Sequence, residues 1–406
     1  MNSFTAKSVN LIIVLVLISG LRLFGQANID DILGQERVNT ITTAVPFLMI
    51  APDARAAAMG DAGVSSAPDV NSMHWNPAKY AFIDREMGLA LSYTPWLRTL
   101  VNDINLSYLS GFRKIDELQT IAASLLFFSL GDIQFTDING NSLGTYRPSE
   151  FALDVAYARK LGEFISGGIA ARYIHSNLTQ GQDVALQETR PGRSIAADVS
   201  AYYERELDWR RTPATFSAGI NISNIGNKIS YSDDIEADFI PINLRFGPTL
   251  RLDLDAYNTL AFTLDINKLL VPTPPIYMRD PETNEVMTDD DGEYIIAAGK
   301  NPNRAVVAGM LGSFADAPGG FSEEINEFSF AGGMEYWYDG QFAIRGGYFH
   351  EHQTKGNRKF FTLGIGLKYN VFGLDFAYLV PVLQRSPLEN VLRFSLTFDF
   401  DAIAGP

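Results

Sequence analysis

Three short stretches carry residue types that could do chemistry. Gly140-Asn141-Ser142-Leu143-Gly144 has the G-x-S-x-G spacing of a hydrolase nucleophile elbow. That chemistry needs a strand-to-helix turn that exposes the serine, with a histidine and an acid brought to it. Asn139-Gly140 stands instead between two strand-like runs, the signal of a hairpin tip, and no nucleophile is expected there. His350-Glu351-His352 places two imidazoles two residues apart at the start of a loop, where a metal would need further ligands that spacing does not identify; solvated histidines are the expectation. Asp289, Asp290 and Asp291 precede Gly292, but aligning a calcium loop of the EF-hand type on that glycine puts Met287 first and Ala298 last, where oxygen ligands are required. They read as a solvated turn, with weak surface cation binding left open. No catalytic residue, metal site or cofactor is expected.

A more distributed set is chemically richer. Asp154, Arg172, Asp198, Arg245, Asp265, Glu335, Arg345, Lys368, Asp375 and Arg393 each sit opposite apolar neighbours in runs of period two. On the inner face of a closed sheet, charges of both signs could line a permeation path, or they could pair with one another and with Asp53, Arg55 and Asp61 upstream. An unpaired buried charge is costly, so a filled lumen with mutual pairing is the expectation.

The elements that would position these charges are strands. Ile104, Leu106, Tyr108 and Phe112 fall on one side of their run, with Asn105, Ser107 and Gly111 on the other; Phe151, Leu153, Val155 and Tyr157 alternate with Ala152, Asp154 and Ala156. Phe361, Leu363, Ile365, Leu367 and Tyr369 alternate in the same way with Thr362, Gly364, Gly366 and Lys368. About fourteen such runs lie between Met87 and Phe400, each about ten residues long, the length of a tilted strand across a bilayer. The gaps at Lys160 to Glu163, Asp339-Gly340 and Asn370 to Phe372 are short, whereas Gly131 to Ser149, Asn177 to Arg193, Gly226 to Ile240 and Leu270 to about Glu323 are long. Outer-membrane barrels sort their connections into tight periplasmic turns and longer outer loops, and a β-sandwich has no reason to. The last run, Asn390 to Phe400, is rich in aromatics on one face. The expected fold is all-β: a fourteen-stranded antiparallel transmembrane β-barrel over residues 85–406 with long extracellular loops.

Composition agrees with a barrel. The 406 residues are 46% hydrophobic and 19% charged, with 27 Phe, 17 Tyr and 34 Gly, and an apolar lipid face against a polar inner face averages to neutral hydropathy. Zero Cys excludes disulfides, thiolate metal sites, a cysteine nucleophile and a lipoprotein-type anchor, and the net charge of -15 argues against nucleic acid as a partner. Lys7, the apolar run Leu11 to Ile18 and the stretch Gly25-Gln26-Ala27 read as a secretory signal peptide over residues 1–26. Residues 27–84 follow, first as a polar periplasmic lead-in to about Val45. Pro46 to Phe82 is then compact, rich in small residues and punctuated by Gly60, Gly63, Pro68 and Pro77. Arg55 to Met59 offers about one helical turn, and Asn76-Pro77 an N-cap followed by proline at the first helical position. A closed sheet of this size has a lumen to fill. Pro46 to Phe82 is the expected plug, with Asp53, Arg55, Asp61, Trp75, Asn76 and Pro77 as its working residues.

The longest connection, about 270–323, opens with Pro272, Pro274 and Pro275, which stiffen its base, and then presents Ile276, Tyr277 and Met278. Pro274 to Met278 are either a docking surface for a partner or part of a loop folded over the barrel mouth.

Two resemblances follow from these residues. The stretch ending in Asn76-Pro77-Ala78 resembles the N-terminal hatch of the FadL family, fourteen-stranded outer-membrane barrels whose hatch occupies the lumen. PDARAAAMGDAGVSSAPDVNSMHWNPAKYAF (52–82), LDINKLLVPTPP (264–275), DAPGGFSEE (316–324), the stretch 335–381 and LENVLRFSLTFDF (388–400) are together similar to the PorV family, outer-membrane shuttle proteins of the type IX secretion system of Bacteroidota. The second resemblance implies a non-enzymatic protein whose partners are the large translocon barrel, cargo carrying a C-terminal signal domain, the surface attachment complex, and outer-membrane lipid and lipopolysaccharide. It also implies an outer loop inserted at the translocon's lateral opening. The first implies a competing function, uptake of a hydrophobic small molecule, for which Phe47, Leu48, Met49 and Ile50 could line a pocket.

Overall fold

The computed structural model describes residues 38–96, 103–136, 140–180, 189–232, 236–383, 389 and 391–400. The leader expected over residues 1–26, Asn139 of the hairpin tip and the tail Asp401 to Pro406 lie outside them. The period-two runs are strands: β1 (Met87–Pro95), β2 (Asn105–Lys114), β3 (Gln119–Ser129), β4 (Ile133–Thr136), β5 (Ser142–Tyr146), β6 (Ser149–Lys160), β7 (Ile165–Asn177), β8 (Gly192–Trp209), β9 (Thr212–Gly226), β10 (Asn243–Asp253), β11 (Asn258–Leu269), β12 (Ile276–Tyr277), β13 (Ile296–Ala298), β14 (Phe328–Tyr338), β15 (Phe342–His350), β16 (Lys359–Tyr369), β17 (Phe372–Pro381) and β18 (Leu392–Asp399). Among the described residues fourteen of these close into one antiparallel barrel, and β4/β5 and β12/β13 are small hairpins set into connections. The seam joins the two ends of the barrel chain, β1 to β18, in register from Gly88↔Asp399 to Tyr93↔Phe394.

Connections alternate in length around the barrel. One rim carries 115–118, 161–164, 210–211, 254–257, 339–341 and 370–371; the other carries 96–104, 130–148, 178–191, 227–242, 270–327, 351–358 and 382–391. The tight turns use left-handed backbone where the twist of a hairpin demands it, as at Asp339 (φ 52°) and Gly340 (φ 61°). On β16, Phe361, Leu363, Ile365, Leu367 and Tyr369 are each more than half exposed while the residues between them face inward. This is the sense expected of a sheet with lipid outside.

In β2 the apolar set faces the other way. Leu106, Tyr108 and Phe112 are buried inside and Leu109 is exposed. The inner face is apolar there because apolar side chains, not water, stand opposite. Leu106 and Tyr108 share a cluster with Phe47 and Leu48, and Phe112 packs on Tyr80 with ring centroids 5.7 Å apart.

Residues 44–83 run through the bore. A 3-10 turn at Pro46–Met49, single helical turns at Ala54–Ala57 and Ser72–Trp75, and a 3-10 helix at Pro77–Phe82 are joined by irregular chain. Asp53 caps the first helical turn, accepting the Ala56 N–H at 2.9 Å, and Asn76 caps the last 3-10 helix, accepting the Ala78 N–H at 3.0 Å. The bore-facing backbone is satisfied by wall side chains: Ala54 N–H donates to Ser395 Oγ, Gly60 N–H to Thr362 Oγ1, and Ser217 Oγ donates to Ser65 O, each at 2.8 Å.

The lead-in departs from expectation. Its end is expected on the side of the short turns, yet Asn39 lies at the opposite rim. The Asn39 N–H donates to Thr354 O (2.9 Å), its Nδ2 to Pro274 O (3.2 Å) and Glu323 Oε1 (2.8 Å), and the Ala44 N–H to Phe239 O (2.9 Å), all in long connections. The chain enters the bore at that rim and leaves at the other, where Ile83 precedes β1. Polarity alone did not distinguish the rims, because a polar strap can be satisfied by hydrogen bonds at either.

Candidate functional site: the filled bore and the base of the long connection

Most of the inward charges are ion-paired, and two of the pairs, Arg55–Glu335 and Asp61–Arg393, cross from wall to inner segment. Glu335 on β14 accepts from Arg55 of the inner segment (Nη2 to Oε1, 2.8 Å; Nε to Oε2, 2.9 Å) and from Arg345 Nε on β15 (2.7 Å). Arg55 Nη1 reaches Asp69 Oδ2 at 2.8 Å, and Arg345 Nη1 reaches Asp375 Oδ1 at 2.6 Å. Arg393 Nη1 lies 3.5 Å from Asp61 Oδ1. Within the wall, Arg172 is held by Asp154 (2.5 Å) and Asp198 (3.3 Å) and donates to Asn224. Arg245 donates to Asn267 Oδ1 (2.7 Å) and lies 4.5 Å over the Trp75 ring. Asp265 Oδ2 accepts the Gly63 and Val64 N–H groups at 2.8 and 2.9 Å.

Other expected residues act within the inner segment. Asp53 bonds Trp75 Nε1 (2.6 Å) rather than a wall cation, and Asn76 Nδ2 ties Val64 O to Ala201 O at 3.0 Å each. Pro77 follows as the first residue of its 3-10 helix. Sequence reasoning missed Lys79, which is fully buried and donates to Gly63 O (2.9 Å) and Ser66 Oγ (3.1 Å). A lysine amid small and apolar residues was the available signal. Wall and inner segment also touch backbone to backbone: Gly333 and Gly347 face Met59, and a Cβ on Gly60 (φ +73°) would lie 2.7 Å from the Tyr348 nitrogen. At the short-turn end the packing leaves a cavity of about 320 Å³ of mixed lining, with Arg55, Asp69, Arg345, Lys368 and Asp375 on one part and Phe112, Trp337 and Phe398 on another.

The base of the long connection is a second buried network, one that no sequence pattern announced. Lys268 Nζ meets Glu324 Oε2 (3.3 Å) and Glu327; Lys355 Nζ meets Glu323 Oε1 (2.5 Å) and Glu327 Oε1 (3.1 Å); Thr273 Oγ1 donates to Glu327 Oε1 (2.6 Å). Glu324 Oε1 accepts the Asp316 and Ala317 N–H groups at 2.6 and 2.8 Å. Of the five residues expected to form an exposed stiff base, Pro275 is buried, Pro274, Ile276 and Tyr277 are half-buried, and Met278 is exposed. Ile276 and Tyr277 form β12 against β13, and the Tyr277 ring lies 5.4 Å from that of Tyr294. The prolines are covered because the connection folds back on them, bringing Gly309 against Pro272 and Gly299 against Pro275.

The remaining stretches are held by hairpin and turn contacts. Ser142 lies on β5 in a strand-to-strand hairpin, its Oγ accepting from Gln134 Nε2 at 3.0 Å. Glu351 is held by Arg358 at 2.8 and 2.9 Å, and Asp289 Oδ1 closes a turn on the Asp291 and Glu293 N–H groups at 3.0 Å. Among the described residues no group of three or more His, Cys, Asp or Glu is placed to hold a metal ion.

Strands of membrane-crossing length, apolar outside and closed around an ion-paired inner segment, define an outer-membrane β-barrel with a filled bore. The chain belongs to the PorV family of type IX secretion: the family described as "Type IX secretion system protein PorV" matches residues 33–276, more than half of the sequence. No curated protein matches it. Among solved structures it is similar to the Pseudomonas putida toluene transporter TodX (10% identity, 89% of this chain and 98% of that chain, TM-score 0.47) and the Ralstonia pickettii toluene transporter TbuX (11%, 85% and 96%, 0.44). A Pseudomonas aeruginosa FadL homologue is similar at 10% identity, 89% and 99% coverage and TM-score 0.43. The barrel assignment rests on the strand pairing itself.

Proposed function

We propose that this protein is a non-enzymatic carrier in type IX secretion. It docks at the translocon barrel, binds the C-terminal signal domain of secreted cargo, and delivers it to the surface attachment complex. Membership in the PorV family supports this reading, and the filled bore is the observation that carries it. A barrel whose lumen is ion-paired to its own N-terminal segment does its work at a rim. The long connections face the cell surface in this reading, and of Pro274 to Met278 it is the exposed Met278, with the half-buried Pro274, Ile276 and Tyr277 beside it and Pro275 buried beneath, that forms part of the docking surface. Purified protein in planar bilayers is expected to give no stable conductance; a steady open channel would overturn the closed-bore reading.

The competing reading, uptake of a hydrophobic small molecule, needs an apolar pocket beside Phe47 to Ile50. Phe47 and Leu48 are instead buried, with the Phe47 ring stacked 6.2 Å from Phe128. Affinity isolation from native membranes separates the two. Recovery of a very large barrel together with secreted proteins sharing a C-terminal domain supports the carrier; bound lipid without them supports uptake. Deleting Ile276 to Asn303 is expected to leave the barrel folded and to abolish one of those protein associations.

A further inference from the structure

The last part of the long connection has inverted polarity. In the helix Phe321–Asn326, Glu324 is 5% exposed while Phe321 and Ile325 are 68% and 51% exposed. A helix against a barrel mouth in water would bury the phenylalanine and expose the carboxylate. The bonds from Glu324 to Lys268 and to the Asp316 and Ala317 amides fix the orientation, so the apolar side is held outward. The preceding helix, Val306–Gly312, is apolar on both sides, packing Val306 and Met310 against the core and still presenting apolar side chains outward. Gly309 is its buried point, against Phe239 and Pro272, and Val307 and Leu311 are 64% and 71% exposed, with Phe314 at 46% in line beyond them.

This outward stripe is continuous with the lipid-facing surface. The Phe314 and Phe328 rings flank the same Lys268 ammonium at 5.6 and 5.4 Å, which sets Phe314 on the rim of the β11–β14 pair. One step along β14, Phe330 is exposed on the outer face beside Ile266. Charge divides the connection at the same place. Residues 305–322 hold one charged side chain, the buried Asp316, whereas 279–304 hold Arg279, Asp280, Glu282, Glu285, Asp289 to Asp291, Glu293, Lys300 and Arg304.

We propose that these two helices lie in the bilayer leaflet surrounding the long-connection rim, with Val307, Leu311, Phe314, Phe321 and Ile325 among the acyl chains and the charged tip in water. The connection is then a partly membrane-seated arm rather than a free loop. Amphipathic helices seat in an interface by burying such a face, and here the wall beside them already faces lipid. The seating holds whichever side the rim faces, so it does not stand or fall with the carrier function.

The chain has no cysteine, so single spin labels report without background. Leu311→Cys, Phe321→Cys and Ile325→Cys would be labelled in full-length protein in phosphatidylcholine vesicles, with Leu363→Cys as the lipid-facing reference and Asp290→Cys as the aqueous one. Heat-modifiable gel migration verifies folding. Labels at 311, 321 and 325 are expected to show high collision rates with oxygen and to lose collisions with a water-soluble nickel chelate, as at 363. Nickel accessibility equal to that at 290 overturns the proposal. If it then falls in complexes isolated from native membranes, the stripe belongs to a protein partner instead.

Discussion

In the bore Arg55 reaches Glu335 across 280 residues of sequence, whereas at the base of the long connection Glu324 reaches Lys268 across 56 and Asp316 across eight. Both sites bury charge, and both satisfy it with opposite charge and backbone amides. They differ in what must be in place for the charges to meet. The bore network requires the inner segment and the β14 to β17 wall together; the base network needs the connection, the end of β11, the neighbouring 351–358 turn and, at its edge, Asn39 of the lead-in. Loss of a bore contact should therefore be felt by the whole barrel, and loss of a base contact by the connection alone.

The largest effect is expected for Glu335→Ala, which strands Arg55 and Arg345 with less countercharge. A loss of about 3–5 kcal/mol in denaturant unfolding in detergent is the order for breaking a buried pair. Gly347→Ala comes next, at about 1–3 kcal/mol, because its Cβ would meet the Met59 and Gly60 backbone, which cannot yield like a side chain. If either variant loosened only the connection, the contrast between the two regions would break. Lys268→Met should sharpen it, with protease cleavage within 270–327 rising while the barrel's unfolding midpoint stays near wild type.

A gentler probe is pH. Burial, and then the Glu324 carboxylate, lift the Asp316 carboxyl to about 6. A folded value above the unfolded one means that this group's contribution is complete below the unfolded pKa and is lost as pH rises through about 6. Amide exchange over 316–327, corrected for intrinsic rates, should be slower at about pH 5 than at about pH 7, and Asp316→Asn should level the difference. Smallest of all is removal of the tip, 280–293, expected to move barrel stability by less than about 0.5 kcal/mol, as surface changes do.

Much of the wall was legible in the sequence because alternation is local. A run such as Phe361 to Tyr369 states its outward face in every second residue, and the long and short gaps state which ends lie together. The reversal at β2 was not legible, since Leu106 and Tyr108 face inward for the sake of Phe47 and Leu48, about sixty residues earlier in the chain, and no local pattern carries that information. The pairing of Arg55 with Glu335 and of Asp61 with Arg393 was half legible. Charge type named the candidates, and only the closed barrel chose the partners. The Lys268, Glu324, Glu327 and Lys355 network escaped for the converse reason, because acidic residues in a loop normally read as solvated.

The β1–β18 seam joins the barrel's first strand to its last, and the inner segment bonds the last strand directly, through Ala54 to Ser395 and Asp61 to Arg393. Glycine-lined contacts such as Gly60 against Tyr348 leave no clearance for a side chain. A cylinder so tightly fitted cannot be threaded once it is shut. The strand that shuts the cylinder is thus also one that grips its occupant, so wall closure and core filling share the same side chains.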